Sequence, residues 1–198
     1  QQDKVRLLID PTSSYAQAAA MAMGRAMDDV IITAASATAF TGETGATSTA
    51  AQTAIAAGGA GLTIAKLRTA KQTFDLASVD PSIPRHIVVG PEQITNLLST
   101  TEVTSSDFNT VKALVQGEID SFLGFKFTVS NRLAKSGNDR TCIAFAQDGI
   151  TLAIGKDVSA RIDERADKSY ATQVYYCQSI GATRMEEAKV LGIVCQEA

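Results

Sequence analysis

Hydrophobic and polar positions follow two different periods along this chain, and the change of period divides it. The stretch TSSYAQAAAMAMGRAMDDVIITAA runs from Thr12 to about Ala35. In it Tyr15, Ala19, Met23, Ala26, Met27, Val30 and Ile31 recur three and four apart, the spacing of a helix with one apolar stripe. Asp10-Pro11 offers a cap residue and a first-turn proline, and Ser13 is an alternative cap. Arg25 stands one turn from Asp28 and Asp29. At ~1.5 Å per residue the helix is roughly 35 Å long, which is long for a domain of this size. Its alanines would let another backbone approach closely. It reads either as a core helix or as a spine on which a flat subunit is built.

Residues 36–60 are small and read as a loop long enough to have a job or a partner. A second helix is expected from about Leu62 to Ala77, with Ile64, Leu67, Ala70 and Phe74 as its apolar stripe and Lys66, Arg68 and Lys71 making it locally basic. Prolines end it, HIVVG reads as a short buried strand, and Pro91 opens a third helix to about Leu98. After a polar stretch at 99–117 the period becomes two. In GFKFTVS, Phe125, Phe127 and Val129 point one way and Lys126, Thr128 and Ser130 the other. Further strands are expected at about 141–147, 150–154, 157–163, 169–180 and 188–195. Helices first and strands after argue for an α+β fold.

Composition adds exclusions. The chain has 198 residues, 45% hydrophobic and 20% charged, enough for a core without staples. Its net charge is −3, and no basic stripe is visible, which argues against a sequence-specific nucleic-acid binder. No apolar run approaches the ~20 residues that a membrane-spanning helix needs. Cys142, Cys177 and Cys195 are far apart, odd in number and set in apolar runs. They read as buried free thiols in a reducing compartment.

Candidate chemistry is thin. His86, the single histidine, lies between Arg85 and an apolar run and reads as structural. No G-x-S-x-G elbow and no H-E-x-x-H or Cys/His cluster occurs, so no catalytic residue, metal site or cofactor is expected. GGAG at 58–61 precedes a helix, but no strand precedes it and no Lys-Ser or Lys-Thr follows. It fits a hinge better than a phosphate loop. In RIDERADKSY, carboxylates Asp163, Glu164 and Asp167 interleave with Arg161, Arg165 and Lys168. The run is neutral and reads as a hairpin tip, either a solvated turn or a charged contact in which alternating signs fix register.

Several landmarks stand in a fixed order. A long alanine-rich helix ends in RAMDDVIITAA. TGETGAT, LTIAKLRTAKQTFD, RHIVVGPEQITNLL and LGFKFTVSNRL follow, and then DGITLAIGKDVSARIDERADKSYATQVYYCQSIGATRMEEAKVLGIVC. This order resembles the major capsid protein of tailed bacteriophages, the family with the Hong-Kong-97-type fold. The resemblance covers nearly the whole chain, through fold patterns rather than catalytic signatures. It implies a spine helix at about 12–35 and a peripheral domain over 1–57 and 149–188 with a long β-hairpin at about 150–180. It implies an axial domain over 58–148 and 189–198, with Phe125, Phe127 and Val129 in its core. It further implies an icosahedral shell built from copies of this chain in hexamers and pentamers, assembled in the host cytoplasm and carried in the virion. Scaffolding, portal or decoration proteins are the other partners it suggests; packaged DNA would be met only non-specifically, and no membrane is involved. The hairpin charges Arg161, Asp163, Glu164, Arg165, Asp167 and Lys168 become the candidates for contact between subunits. Family members carry an N-terminal arm and an extended loop before the spine, and the chain as it stands is expected to lack both. No motif assigns a Lys–Asn cross-link of the kind some relatives form.

Three other readings compete. An encapsulin-like bacterial compartment would share the fold and be told apart by a bound cargo enzyme. A small hydrolase or nucleotide-binding enzyme would need a pocket at His86 or GGAG with converging polar groups. A generic binding module would be a monomer with one functional face.

Overall fold

A computed structural model describes residues 11–49, 54–99 and 121–197. The mixed α+β class is as expected. Two compact units emerge, each joining distant stretches of chain: residues 1–31 with 152–182, and residues 32–151 with 183–198.

The larger unit is built on a six-stranded sheet. Its strands are β3 (Arg85–Val89), β4 (Ser121–Phe122), β5 (Phe125–Val129), β6 (Lys135–Ser136), β7 (Asp139–Ala146) and β10 (Val190–Gln196). They lie in the order β10-β7-β3-β5-β4, with β6 also on β7. Among these described strands, the pairing of β3 with β5 is parallel and the others are antiparallel. A parallel neighbour requires a crossover, and the chain makes it through α3 (Pro91–Leu98), which Pro91 starts as expected. Helix α2 (Ile64–Leu76) is capped by Thr63, whose hydroxyl accepts from the Lys66 amide at 3.3 Å. Its stripe of Ile64, Leu67, Ala70 and Phe74 is buried. With Ile87, Phe125, Cys142, Ala144, Leu191 and Ile193 it forms one apolar core. Phe74 and Phe125 meet with ring centroids 6.0 Å apart, tilted at 49°, and Arg85 lies 5.5 Å over the Phe74 ring.

Several expectations change. The loop at 36–60 contains a small hairpin, β1 (Ala39–Thr41) with β2 (Thr47–Thr49), turned on Gly42 and Gly45 at positive φ. The strands expected at 150–154 and 157–163 are one strand, β8 (Ile150–Arg165). Phe125 and Phe127 are buried, but Val129 is 51% exposed. Strand β4 pairs only with Phe125 and Lys126, so the far end of β5 has no strand outside it among the described residues. The expected Asp10 cap and the polar residues 100–117 lie outside the described residues.

The smaller unit sets most of α1 (Pro11–Ser36) beside a two-stranded ribbon of β8 and β9 (Ala171–Arg184). Two β9 side chains tie the ribbon to the helix backbone. The Tyr176 hydroxyl donates to the Ala16 carbonyl at 3.2 Å, and Gln178 Nε2 donates to that of Met23 at 3.4 Å. Ala16, Ala19, Met23, Met27, Val30 and Ile31 are half-buried, whereas Tyr15 and Ala26 of the expected stripe are exposed. The apolar face is thus rotated toward Ala16, because the helix is covered where these β9 side chains reach it. Among the described residues, no helix is long and apolar enough to cross a membrane.

Replacing Phe74 with Ala should cost about 3–5 kcal/mol in urea unfolding, from lost burial and the cavity left behind. Leu76→Ala, two residues on but 78% exposed, should stay within about 0.5 kcal/mol.

Candidate functional site

Each residue that could support enzyme chemistry has a structural occupation. His86 pairs across the sheet with Phe145 and stacks on its ring, centroids 5.6 Å apart. Burial, and then the charge of Lys126, pull its pKa below the ordinary value, so the imidazole is neutral at pH 7. A cavity of about 520 Å³ opens elsewhere, lined by Pro84, Arg85 and residues 121–126, and includes neither His86 nor the glycine loop. Among the described residues, no group of His, Cys, Asp and Glu could hold a metal ion.

The glycine loop faces the wrong way for an anion. Gly58 and Gly59 turn the chain at positive φ. The carbonyls of Ala60 and Gly61 then point at the Lys66 ammonium, at 2.7 and 2.9 Å, and the Val194 carbonyl completes the set at 3.0 Å. A phosphate cradle presents amide N–H groups; this turn presents oxygens to a buried cation. The expected hinge is therefore a fixed junction that binds α2 to β10.

The cysteines are free, and two of them are buried. The hydrogen bond between Cys142 and Cys195, together with burial, holds the Cys142 thiol far above its ordinary range. Cys177 departs from expectation: it is half-exposed on β9, with Sγ 3.0 Å from Ser159 Oγ. The Ser159 hydrogen bond and then Lys156 lower its pKa. Among the described residues the ribbon carries a helix on one side only, so a residue of β9 can remain in contact with water.

Sequence reasoning missed a buried charge cluster. Glu197 is almost fully buried beside β7 and the first turn of α3. Its carboxylate receives Arg140 Nε, Lys135 Nζ and, at 3.2 Å, Gln93 Nε2. The Arg140 and Lys135 hydrogen bonds push its pKa down to about 2. Gly90 leaves room for this group, since a Cβ there would come within 2.9 Å of Arg140 Cδ. Acidic and basic residues 57 and 62 positions apart give no local pattern that would reveal the cluster. It holds the end of β10 rather than a substrate, because its partners fill the carboxylate's hydrogen-bonding positions.

The six hairpin charges come together as expected, at one end of the ribbon. All are exposed. Arg161, Asp163 and Arg165 alternate to one face of β8 and Glu164 to the other; Asp167 and Lys168 lie in the 3-10 turn Ala166–Lys168. Only one internal pair forms. Arg165 grips Asp167 through Nε at 2.9 Å and through Nη2, which lowers the Asp167 pKa. Among the described residues, Arg161, Asp163, Glu164 and Lys168 make no ion pair.

The family model for phage capsid proteins matches residues 1–197. The chain belongs to the phage capsid protein family. It is accordingly a structural protein of a phage shell and not an enzyme, which overturns the hydrolase and nucleotide-binding readings. Similar solved structures share its fold at low identity. A chain of Mycobacterium phage Che8 is 21% identical with a TM-score of 0.70, covering 98% of this chain and 66% of that one. The capsid of cyanophage P-SCSP1u is 16% identical, TM-score 0.71, covering 100% and 70%. That of Ralstonia phage GP4 is 10% identical, TM-score 0.72, covering 100% and 70%. This capsid chain thus spans about two thirds of the length of those chains. No curated protein sequence matches it.

Acid should test the buried cluster. The Glu197 pKa is depressed from an ordinary 4.5 to about 2 in the fold. Its stabilising contribution is therefore complete above about pH 4.5 and drains away as pH falls toward 2. Urea unfolding across that window should show a steep loss in the native protein. Glu197→Gln should be less stable at pH 7 and lose less between pH 4.5 and 2. Parallel pH curves would remove Glu197 from this role.

Proposed function

We propose that this chain is the shell-forming part of an icosahedral capsid subunit with the Hong-Kong-97-type architecture. The single observation that carries the reading is the family match along residues 1–197. Helix α1 serves as the spine. The smaller unit, with its ribbon, is the core of a peripheral domain whose outer limits are 1–57 and 149–188. The sheet unit is the core of an axial domain over 58–148 and 189–198. In support, the chain divides into two units that each combine early and late segments, and the last strand joins the sheet of the larger one.

On this reading, copies of the chain join in hexamers and pentamers, and repeated contacts close a shell around the genome. Scaffolding, portal or decoration proteins are its further partners. Assembly takes place in the host cytoplasm, the product resides in the virion, and DNA is contacted without sequence preference. Arg161, Asp163, Glu164, Arg165, Asp167 and Lys168 are charged contacts between subunits. Four of them have no ion-pair partner of their own among the described residues, and the run sums to zero charge, so one copy does not repel another.

Electron microscopy of the product of the complete gene should show closed, uniform shells. Monodisperse monomers at every salt and protein concentration would overturn the reading. The double reversal Arg161→Glu with Arg165→Glu should lower shell yield while circular dichroism and melting stay those of the native protein. Normal yield from that variant would remove these charges from the contacts.

A further inference from the structure

Two thiols with no part in shell contacts meet inside the larger unit. Cys142 on β7 stands opposite Ile193 on β10, and Cys195 is two residues on from Ile193. Directly paired residues of an antiparallel sheet share a face, and so do residues two apart on a strand. Cys142 and Cys195 are therefore diagonal neighbours on one face. Both are free and fully buried, and they are hydrogen-bonded to each other. Cys177, the third cysteine, belongs to the smaller unit.

We infer that Cys142 and Cys195 are a redox pair: an oxidising disulfide joins them in a cross-strand bond that fastens β10 to β7, and a reductant releases it. The two members differ in a way that suits exchange. The Cys142 hydrogen bond and the nearby charge of Lys66 favour the thiolate of Cys195 against its burial, so Cys195 attacks first. With oxidised glutathione, the Cys195 thiolate bonds to one glutathione sulfur and the other leaves as a thiolate. That thiolate takes the proton of Cys142. The Cys142 sulfur then attacks Cys195 Sγ, the mixed disulfide breaks, and the second glutathione leaves. Two protein thiols are oxidised and one glutathione disulfide is reduced to two thiols.

Geometry makes this bond a switch rather than a permanent staple. Diagonal neighbours across a strand pair lie about 7–8 Å apart at Cα, slightly beyond the span of an unstrained disulfide. The bond therefore closes with a small backbone shift and is readily reduced. Its place gives it leverage. It joins the last described strand to the middle of the sheet, two residues before the buried carboxylate of Glu197. On the shell reading, on which this timing rests, the chain is made in a reducing cytoplasm and persists outside it. The pair is then open while β10 has to dock and closed once the shell has to last.

The full chain with Cys177→Ser retains only this pair. Equilibrated in glutathione buffers of increasing oxidised fraction, its free thiols, counted after denaturation, should fall from both to none. Peptide mapping should find Cys142 joined to Cys195 within one chain. Sub-denaturing urea should speed the reaction, because buried thiols meet the oxidant only when β10 opens. In the oxidised form, amide exchange at Val190–Gln196 should slow about tenfold or more and the melting temperature should rise by several degrees, both reversed by dithiothreitol. Cys142→Ala should leave Cys195 only a mixed disulfide with glutathione and no slowing of exchange. Thiols that stay free in the folded protein at every glutathione ratio, or that link only in unfolded chains, overturn the inference. So does a link that leaves exchange and melting unchanged. None of these outcomes bears on the shell reading, which electron microscopy tests separately.

Discussion

The pairing of β10 with β7 is the constraint on which the sheet unit depends. The two strands run antiparallel from Val190 opposite Phe145 to Gln196 opposite Asp139, so the last described segment of the chain closes a sheet begun at residue 85. Several polar contacts in the unit serve that closure. The Ile55 amide donates to the Gly192 carbonyl, and the Val194 amide returns a bond to Ile55. Gln196 donates to Ala60, and Lys66 spans Ala60, Gly61 and Val194. Beyond the strand, Glu197 is held by Arg140, Lys135 and Gln93. A strand joined to its sheet across so long a stretch of chain carries a closure entropy that grows only slowly with that length, and these contacts offset it. The buried charges of Lys66 and Glu197 are each satisfied by several partners, which is the condition under which burying a charge is tolerated.

The ribbon unit follows a different logic. It has few buried side chains and a long exposed double strand, and its charges and apolar groups face outward. A catalytic protein gathers polar groups into one desolvated cleft; a shell protein distributes weak contacts over its surface and gains strength from repetition. The absence of a motif in the sequence and the exposure of the ribbon are two aspects of one strategy.

Local periodicity made much of the fold legible. Helices α1, α2 and α3 were visible because apolar spacing and proline starts act within one or two turns. Strand β3 was visible as a short apolar run, and β5 and β9 because alternation is equally local. The charges at 161–168 could be found because they are consecutive. The Glu197 cluster, the Lys66 junction and the exposed end of β5 at Val129 were not legible. Each depends on which distant segment arrives, and no spacing within a dozen residues encodes that.

By itself the sequence determined where most of the helices and strands form, the α+β class and the collection of six charges at one hairpin end. Backbone preference and hydrophobic period act over a few residues, so they survive without a tertiary context. Only the tertiary structure decided that GGAG offers oxygens to a lysine rather than amides to a phosphate. It likewise decided that Arg165 pairs with Asp167 while its neighbours make no ion pair among the described residues, and that Ile154, Val158 and Ile162 remain exposed. Those outcomes turn on coverage and distance between remote residues, which the fold fixes through packing and the sequence states only in sum.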